Sequence, residues 1–75
     1  MNDDVAETVL RIVRLQLGLS DVSPSNDLVE DLGAVSADIV NIVVAVEDKY
    51  GMELDETALS NIRTVTDLIS LVEGR

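Results

Sequence analysis

Three stretches of aliphatic residues recur at helical spacing, and a glycine follows each. Val5, Val9, Ile12 and Val13 fall at i, i+4, i+7 and i+8, one face of a helix. This predicts a helix over about 3–17, with Asn2, Asp3 and Asp4 suited to its start by capping and by the helix dipole. Glu7, Arg11 and Arg14 line the opposite face, and Gly18 is a natural stop. A second helix is predicted over 36–50, with Ile39, Ile42, Val43, Val46 and Tyr50 as its inward stripe and Gly51 after it. A third long stripe is Val65, Leu68, Ile69 and Val72, opened by Thr64 and closed by Gly74. Thr64 and Asp67 approximate a capping box. Between the second and third long helices, 55–61 suits one short helix, with Asp55 as its cap and Leu59 and Ile62 pointing inward. Residues 19–35 form a long connection rich in turn formers, including Ser20, Asp21, Ser23, Pro24, Ser25 and Asn26. Val22, Leu28, Val29 and Leu32 can pin it to a core, 27–31 suits one turn of helix, and Gly33 suits its end. The expected fold is all-α: a four-helix bundle of three longer helices and one short one, with a long loop between the first two. At 75 residues the chain makes one domain at most, spanning 1–75.

Composition then narrows the chemistry. Hydrophobic residues reach 47% and aromatic ones only 1%, so the core must be built from Val, Leu and Ile. The formal charge is −10, which argues against nucleic acid and anionic membrane surfaces as partners. Self-repulsion among the carboxylates lowers stability, and salt should relieve it. There is no Cys and no His, which excludes disulfides, thiolate chemistry, Ser-His-Asp catalysis and Cys/His zinc sites from this chain alone. No carboxylate pair marks a cleft, so an enzyme is not expected. The longest apolar run, 42–46, is far shorter than the roughly 20 residues of a membrane span. The start is polar and acidic, unlike a signal peptide, so a cytoplasmic location is expected. Acidity alone suggests an EF-hand, but the best acidic stretch, from Asp48, has Tyr50 and Met52 at the third and fifth ligand places. No metal site is expected.

Two features go beyond a plain bundle. Ser36 stands at a helix start after a Gly-containing turn. It reads either as an N-cap or as an attachment point, a hydroxyl next to backbone amides that favour a phosphodiester. The second helix also carries a second face of Ala37, Val40, Asn41, Val44, Glu47 and Asp48. A surface helix is ordinarily polar there. This one mixes apolar and acidic groups, which suits a basic partner around a shallow apolar patch.

The run Leu28-Val29-Glu30-Asp31-Leu32-Gly33-Ala34, followed by Ser36 and Asp38, resembles the acyl carrier proteins of fatty-acid and polyketide synthesis. The similarity continues through Val40, Ile42, Val43, Ala45, Glu47, Asp48 and Tyr50 to Ile62, Thr64 and Val65. It implies a 4′-phosphopantetheine arm on Ser36, added by a phosphopantetheinyl transferase, with acyl groups held as thioesters on the arm's thiol. It implies acyl-processing partners that dock on Asp38, Val40, Asn41, Val44, Glu47 and Asp48, and a monomer in solution. It also implies an acyl pocket between the helices, lined by Val29, Ile42, Val43, Val46, Leu59, Ile62, Leu68 and Ile69, residues that equally serve as ordinary core.

The departures from the family pattern bear on function. Val35-Ser36-Ala37 replaces Asp-Ser-Leu, Asn41 stands where Glu is common, and Lys49 adds a positive charge. These changes remove contacts used by the general fatty-acid machinery. Three readings follow: a specialised carrier with dedicated partners, a carrier modified slowly by the general transferase, or a fold that has lost the arm. The last would make the chain an acidic helical interaction module, with Ser36 only a cap.

Overall fold

The computed structural model describes residues 4–74. Its elements are α1 (Val5–Leu17), α2 (Ser36–Tyr50), α3 (Glu56–Ser60) and α4 (Val65–Glu73). No strand occurs among the described residues, so the all-α class holds.

Each long helix begins where side-chain chemistry allows. Asp4 is the N-cap of α1, its Oδ1 accepting from the Glu7 N–H at 3.3 Å; Asn2 and Asp3 lie outside the described residues. Thr64 caps α4 in a reciprocal box. Its Oγ1 accepts from the Asp67 N–H at 3.2 Å, while Asp67 Oδ2 accepts from the Thr64 N–H at 3.0 Å. Aspartate here does the work of the longer acids usual at this position. Gly51 ends α2 with φ +61° and donates its N–H to the Glu47 carbonyl.

α1 packs against both α2 and α4. The core is Val9, Val13, Leu28, Ala34, Ile42, Val46, Val65, Leu68, Ile69 and Val72. All four residues of the α4 stripe are buried. On α1, Val9 and Val13 are buried, while Val5 and Ile12 pack partly against the cluster, joined by Ala6, Leu10 and Leu17.

The connection 19–35 is stitched to the start of α4. Leu28 N–H donates to the Arg63 carbonyl at 2.9 Å, and Val65 N–H to the Asn26 carbonyl at 3.1 Å. Both the Thr66 N–H and its Oγ1 donate to the Pro24 carbonyl, at 2.9 and 2.7 Å. Arg63 Nε adds an ion pair to Asp27 Oδ2 at 3.1 Å. Leu28 and Ala34 anchor the same segment in the core, with Val22 and Leu32 partly buried against it.

Val29 departs from expectation. It is 55% exposed and pins nothing. Asp27 Oδ1 accepts from the N–H groups of Val29 and Glu30, each at 2.9 Å, and starts a helical turn there. In that turn Leu28 and Leu32, four apart, face the core, which leaves Val29 about 100° away toward solvent.

Candidate functional site

Ser36 is the first residue of α2, exposed to solvent. Its hydroxyl makes no hydrogen bond among the described residues. The N-cap is Val35, with extended φ −99° and ψ 173°, so Ser36 is not the cap that its position in the sequence suggests. The capping acceptor comes from the other direction: Asp38 Oδ2 accepts from the Val35 N–H at 3.1 Å. The first intrahelical bond runs from the Ile39 N–H to the Val35 carbonyl at 3.1 Å. The amides of Ser36, Ala37 and Asp38 therefore have no carbonyl within the helix to bond. They face the end that carries the positive pole of the α2 dipole.

The approach to Ser36 is rigid for reasons visible in the turn before it. Gly33 has φ +72°, a left-handed conformation that side chains with a Cβ adopt at a cost. Its N–H donates to the Val29 carbonyl at 3.0 Å, and the Ala34 N–H to the Leu28 carbonyl at 2.9 Å. Ala34, 3% exposed, seats the chain in the core; Val35, 62% exposed, then brings it out. Ser36 follows at the surface, between a buried anchor and a closed first helical turn.

The outward face of α2 is present as expected. Ala37, Val40, Asn41, Val44 and Asp48 are all exposed. Apart from Asp38, its half nearest Ser36 is apolar or neutral, and Glu47 and Asp48 stand at the far end. There Val44, Glu47, Asp48, Gly51, Met52 and Glu53 line an open hollow. Glu47 has an internal duty that its sequence position did not reveal: Oε2 accepts from the Leu54 N–H at 2.7 Å and ties down the segment after α2. Asp38 is similarly engaged at Val35, so both acids help to shape the face they belong to.

Two further carboxyls have shifted affinity for protons. Asp67 lies below the usual carboxylate range, first because of the Thr64 N–H and then the Arg63 N–H, which donates to Oδ2 at 3.0 Å. Asp27 is lowered chiefly by the Glu30 N–H, against which partial burial works, and then by Arg63 and the Val29 N–H. Both sit where the long connection meets α4. Sequence reasoning missed this junction; its one local signal was Asn26-Asp27, a pair suited to turning backbone amides inward.

Of the residues expected to line an acyl pocket, Ile42, Val43, Val46, Leu68 and Ile69 are buried, Leu59 and Ile62 are half-buried, and Val29 is outside. A separate hollow of ≈ 230 Å³ beside α4 is lined by Asn61, Ile62, Asp67, Ser70 and Leu71. It shares only Ile62 with that set. No helix among the described residues is long and apolar enough to cross a membrane.

The small all-α fold and the serine held out at the start of α2 define a carrier-type domain. Comparison with known proteins agrees. The family model described as "Phosphopantetheine attachment site" matches residues 7–72. An acyl carrier protein of Nitratidesulfovibrio vulgaris is 38% identical over 73 residues, covering 95% of this chain and 96% of that one. One from Helicobacter hepaticus is 35% identical over the same length. In fold, the chain is similar to the solved structure of a candidate acyl carrier protein from Mycobacterium tuberculosis. The TM-score is 0.90 at 22% identity, covering 95% of this chain and 97% of that one. The chain belongs to the acyl carrier protein family. Members bear covalent 4′-phosphopantetheine, work with a phosphopantetheinyl transferase and acyl-processing enzymes, and are carriers with no turnover of their own.

The residues at the start of α2 fit such a group. A phosphodiester needs an accessible hydroxyl, and Ser36 supplies one. It also gains from amides without other acceptors, which the first turn supplies.

Proposed function

We propose that Ser36 carries the 4′-phosphopantetheine arm, and that the chain is a specialised carrier of acyl thioesters in fatty-acid, lipid or polyketide biosynthesis. The observation that supports this most is the Ser36 hydroxyl itself, exposed, unbonded and not spent on capping. In the loading step Ser36 Oγ gives up its proton and attacks the β-phosphate of coenzyme A. A new P–O bond forms, and adenosine 3′,5′-bisphosphate leaves. Once attached, the arm supplies the thiol that holds acyl groups, which a chain without Cys cannot supply itself.

Partners dock on Asp38, Val40, Asn41, Val44, Glu47 and Asp48. The exposed valines, 58% and 53% for Val40 and Val44, favour an apolar seat near the serine. The acids at the far end favour Arg and Lys on the partner, which speed encounter. The acyl lining retained from the sequence is Ile42, Val43, Val46, Leu59, Ile62, Leu68 and Ile69, a set that must part to admit a chain. The working unit is a cytoplasmic monomer of one domain, 1–75, in which the three longer helices and α3 act as a four-helix bundle with the long loop between the first two helices. A radius of gyration of 11.2 Å supports one folded unit, being about that of a chain this long.

Val35 and Ala37, which withhold the usual acidic and apolar grips, keep a second reading in play: an unmodified module that binds basic partners. Intact mass after incubation with coenzyme A and a panel of phosphopantetheinyl transferases separates the two. The carrier gains one phosphopantetheinyl group, and Ser36→Ala gains none. No gain with any transferase would leave the interaction module.

A further inference from the structure

Tyr50 is the chain's single aromatic residue. It ends the inward stripe of α2 and packs, partly buried, against the core cluster, as Met52, Leu54 and Ile62 also do. Its hydroxyl oxygen is shut off from water and has no hydrogen-bond partner. No other buried side-chain nitrogen or oxygen is left unpaired among the described residues, and none of their buried side chains is polar. One lone hydroxyl thus sits in an aliphatic interior. Buried tyrosine hydroxyls normally find a partner, and one without a partner destabilises the fold. Phenylalanine would fill the same space without that cost.

On the carrier reading proposed above, the interior parts to receive a second occupant. Ser36 and Tyr50 are the first and last residues of α2, about 21 Å apart along its axis. Val46, fully buried, lies one helical turn before Tyr50 on the same stripe. An acyl chain tethered to Ser36 by a long arm and seated along this stripe runs toward Tyr50 at its far end. A saturated chain leaves that hydroxyl unpaired. A chain that carries a hydroxyl or keto oxygen pairs with it, because the phenol can both donate and accept.

We propose that Tyr50 is a specificity-determining residue for the cargo, and that this carrier holds oxygen-bearing acyl chains, hydroxyacyl or ketoacyl, in preference to saturated ones. The inference rests on the carrier reading above and names its substrate class.

The test loads Ser36 of the wild-type chain and of Tyr50→Phe with octanoyl, 3-oxooctanoyl, and 3-, 5- and 7-hydroxyoctanoyl arms, and follows urea unfolding of each. In wild type, at least one oxygenated cargo raises the folding equilibrium constant about fivefold over octanoyl, the effect of one net hydrogen bond. In Tyr50→Phe the same ratio falls to about one. Without cargo, Tyr50→Phe unfolds at the same urea concentration as wild type or a higher one. Ratios near one for every oxygenated cargo in wild type overturn the proposal. So does a preference that survives in Tyr50→Phe. An unloaded Tyr50→Phe that is clearly less stable than wild type overturns it as well, since the hydroxyl would then already be paired. If Ser36 accepts no arm at all, the carrier reading falls and takes this one with it; if the arm loads and the ratios are flat, only the cargo preference falls.

Discussion

The Asp38 carboxylate accepts from the Val35 amide at 3.1 Å and closes the first turn of α2 around Ser36. Ser36, which lies between them with Ala37, is thereby held without using its own side chain. An ordinary serine cap would spend its hydroxyl on an amide of the first turn; here the cap position is Val35, Asp38 bonds the Val35 N–H from three residues on, and Ser36 Oγ stays free for chemistry.

Removing that aspartate should damage both stability and loading. Asp38→Ala is expected to cost about 1 kcal/mol, the usual net worth of one hydrogen bond, seen as a lower urea midpoint. Phosphopantetheinylation of Ser36 should slow as the first turn frays. Asp38→Asn keeps an acceptor oxygen and should recover most of the stability. An unchanged midpoint in Asp38→Ala would show that the bond does not hold the turn in solution.

Gly33 should resist substitution for a backbone reason only. A Cβ there meets no atom within 4 Å, yet φ is +72°. Gly33→Ala is therefore expected to cost about 1 kcal/mol from left-handed strain, while Gly33→Asn, better suited to that region, should cost less. Equal midpoints for Gly33→Ala and wild type would mean the turn rearranges.

Asp67 makes part of the stability dependent on pH. Its carboxyl is lowered from 3.8 in the folded state, chiefly by the Thr64 N–H. The folded protein thus binds this proton less readily than the unfolded chain. Its contribution is complete above about pH 3.8 and is lost as pH falls further, through the folded value. Thermal melts of wild type and Asp67→Asn should show a constant gap in Tm from pH 7 to pH 5 and a shrinking one below 3.8. A gap that widens in acid would reverse the sign of the linkage.

Val35 and Ala37 should govern how readily general enzymes recognise the chain. Val35→Asp combined with Ala37→Leu is expected to raise kcat/KM for a general phosphopantetheinyl transferase about thirtyfold, at roughly 1 kcal/mol for each of the two restored contacts. Loading rates measured by mass spectrometry decide it. Identical rates for the two forms would remove the basis for a specialised set of partners.

Much of the fold could be read along the chain. Val65, Leu68, Ile69 and Val72 are buried where their spacing puts them, because helical periodicity is a local property that a few residues declare. Thr64 and Asp67 likewise cap α4 from three residues apart. The site was legible in outline: the motif around Ser36 and the mixed face of α2 both stand in the sequence. Less was legible where an exposed position depends on a turn's exact phase. Val29 shares its apolar character with Leu28 and Leu32, and only the turn begun at Asp27 sends it outward.

By itself the sequence determined the helices, the aliphatic core and the place of Ser36 at a helix start. These follow from side-chain spacing, glycine positions and charge, all of which act over a few residues. Tertiary structure alone decided that the long connection is sewn to α4 through Pro24, Asn26 and Asp27, that Glu47 holds the Leu54 amide, and that the Tyr50 hydroxyl is stranded in the interior. The Pro24–Thr66 and Asp27–Arg63 bonds join residues 42 and 36 positions apart. No local pattern encodes such pairs; they exist only once burial of the two aliphatic stripes has brought their backbones together.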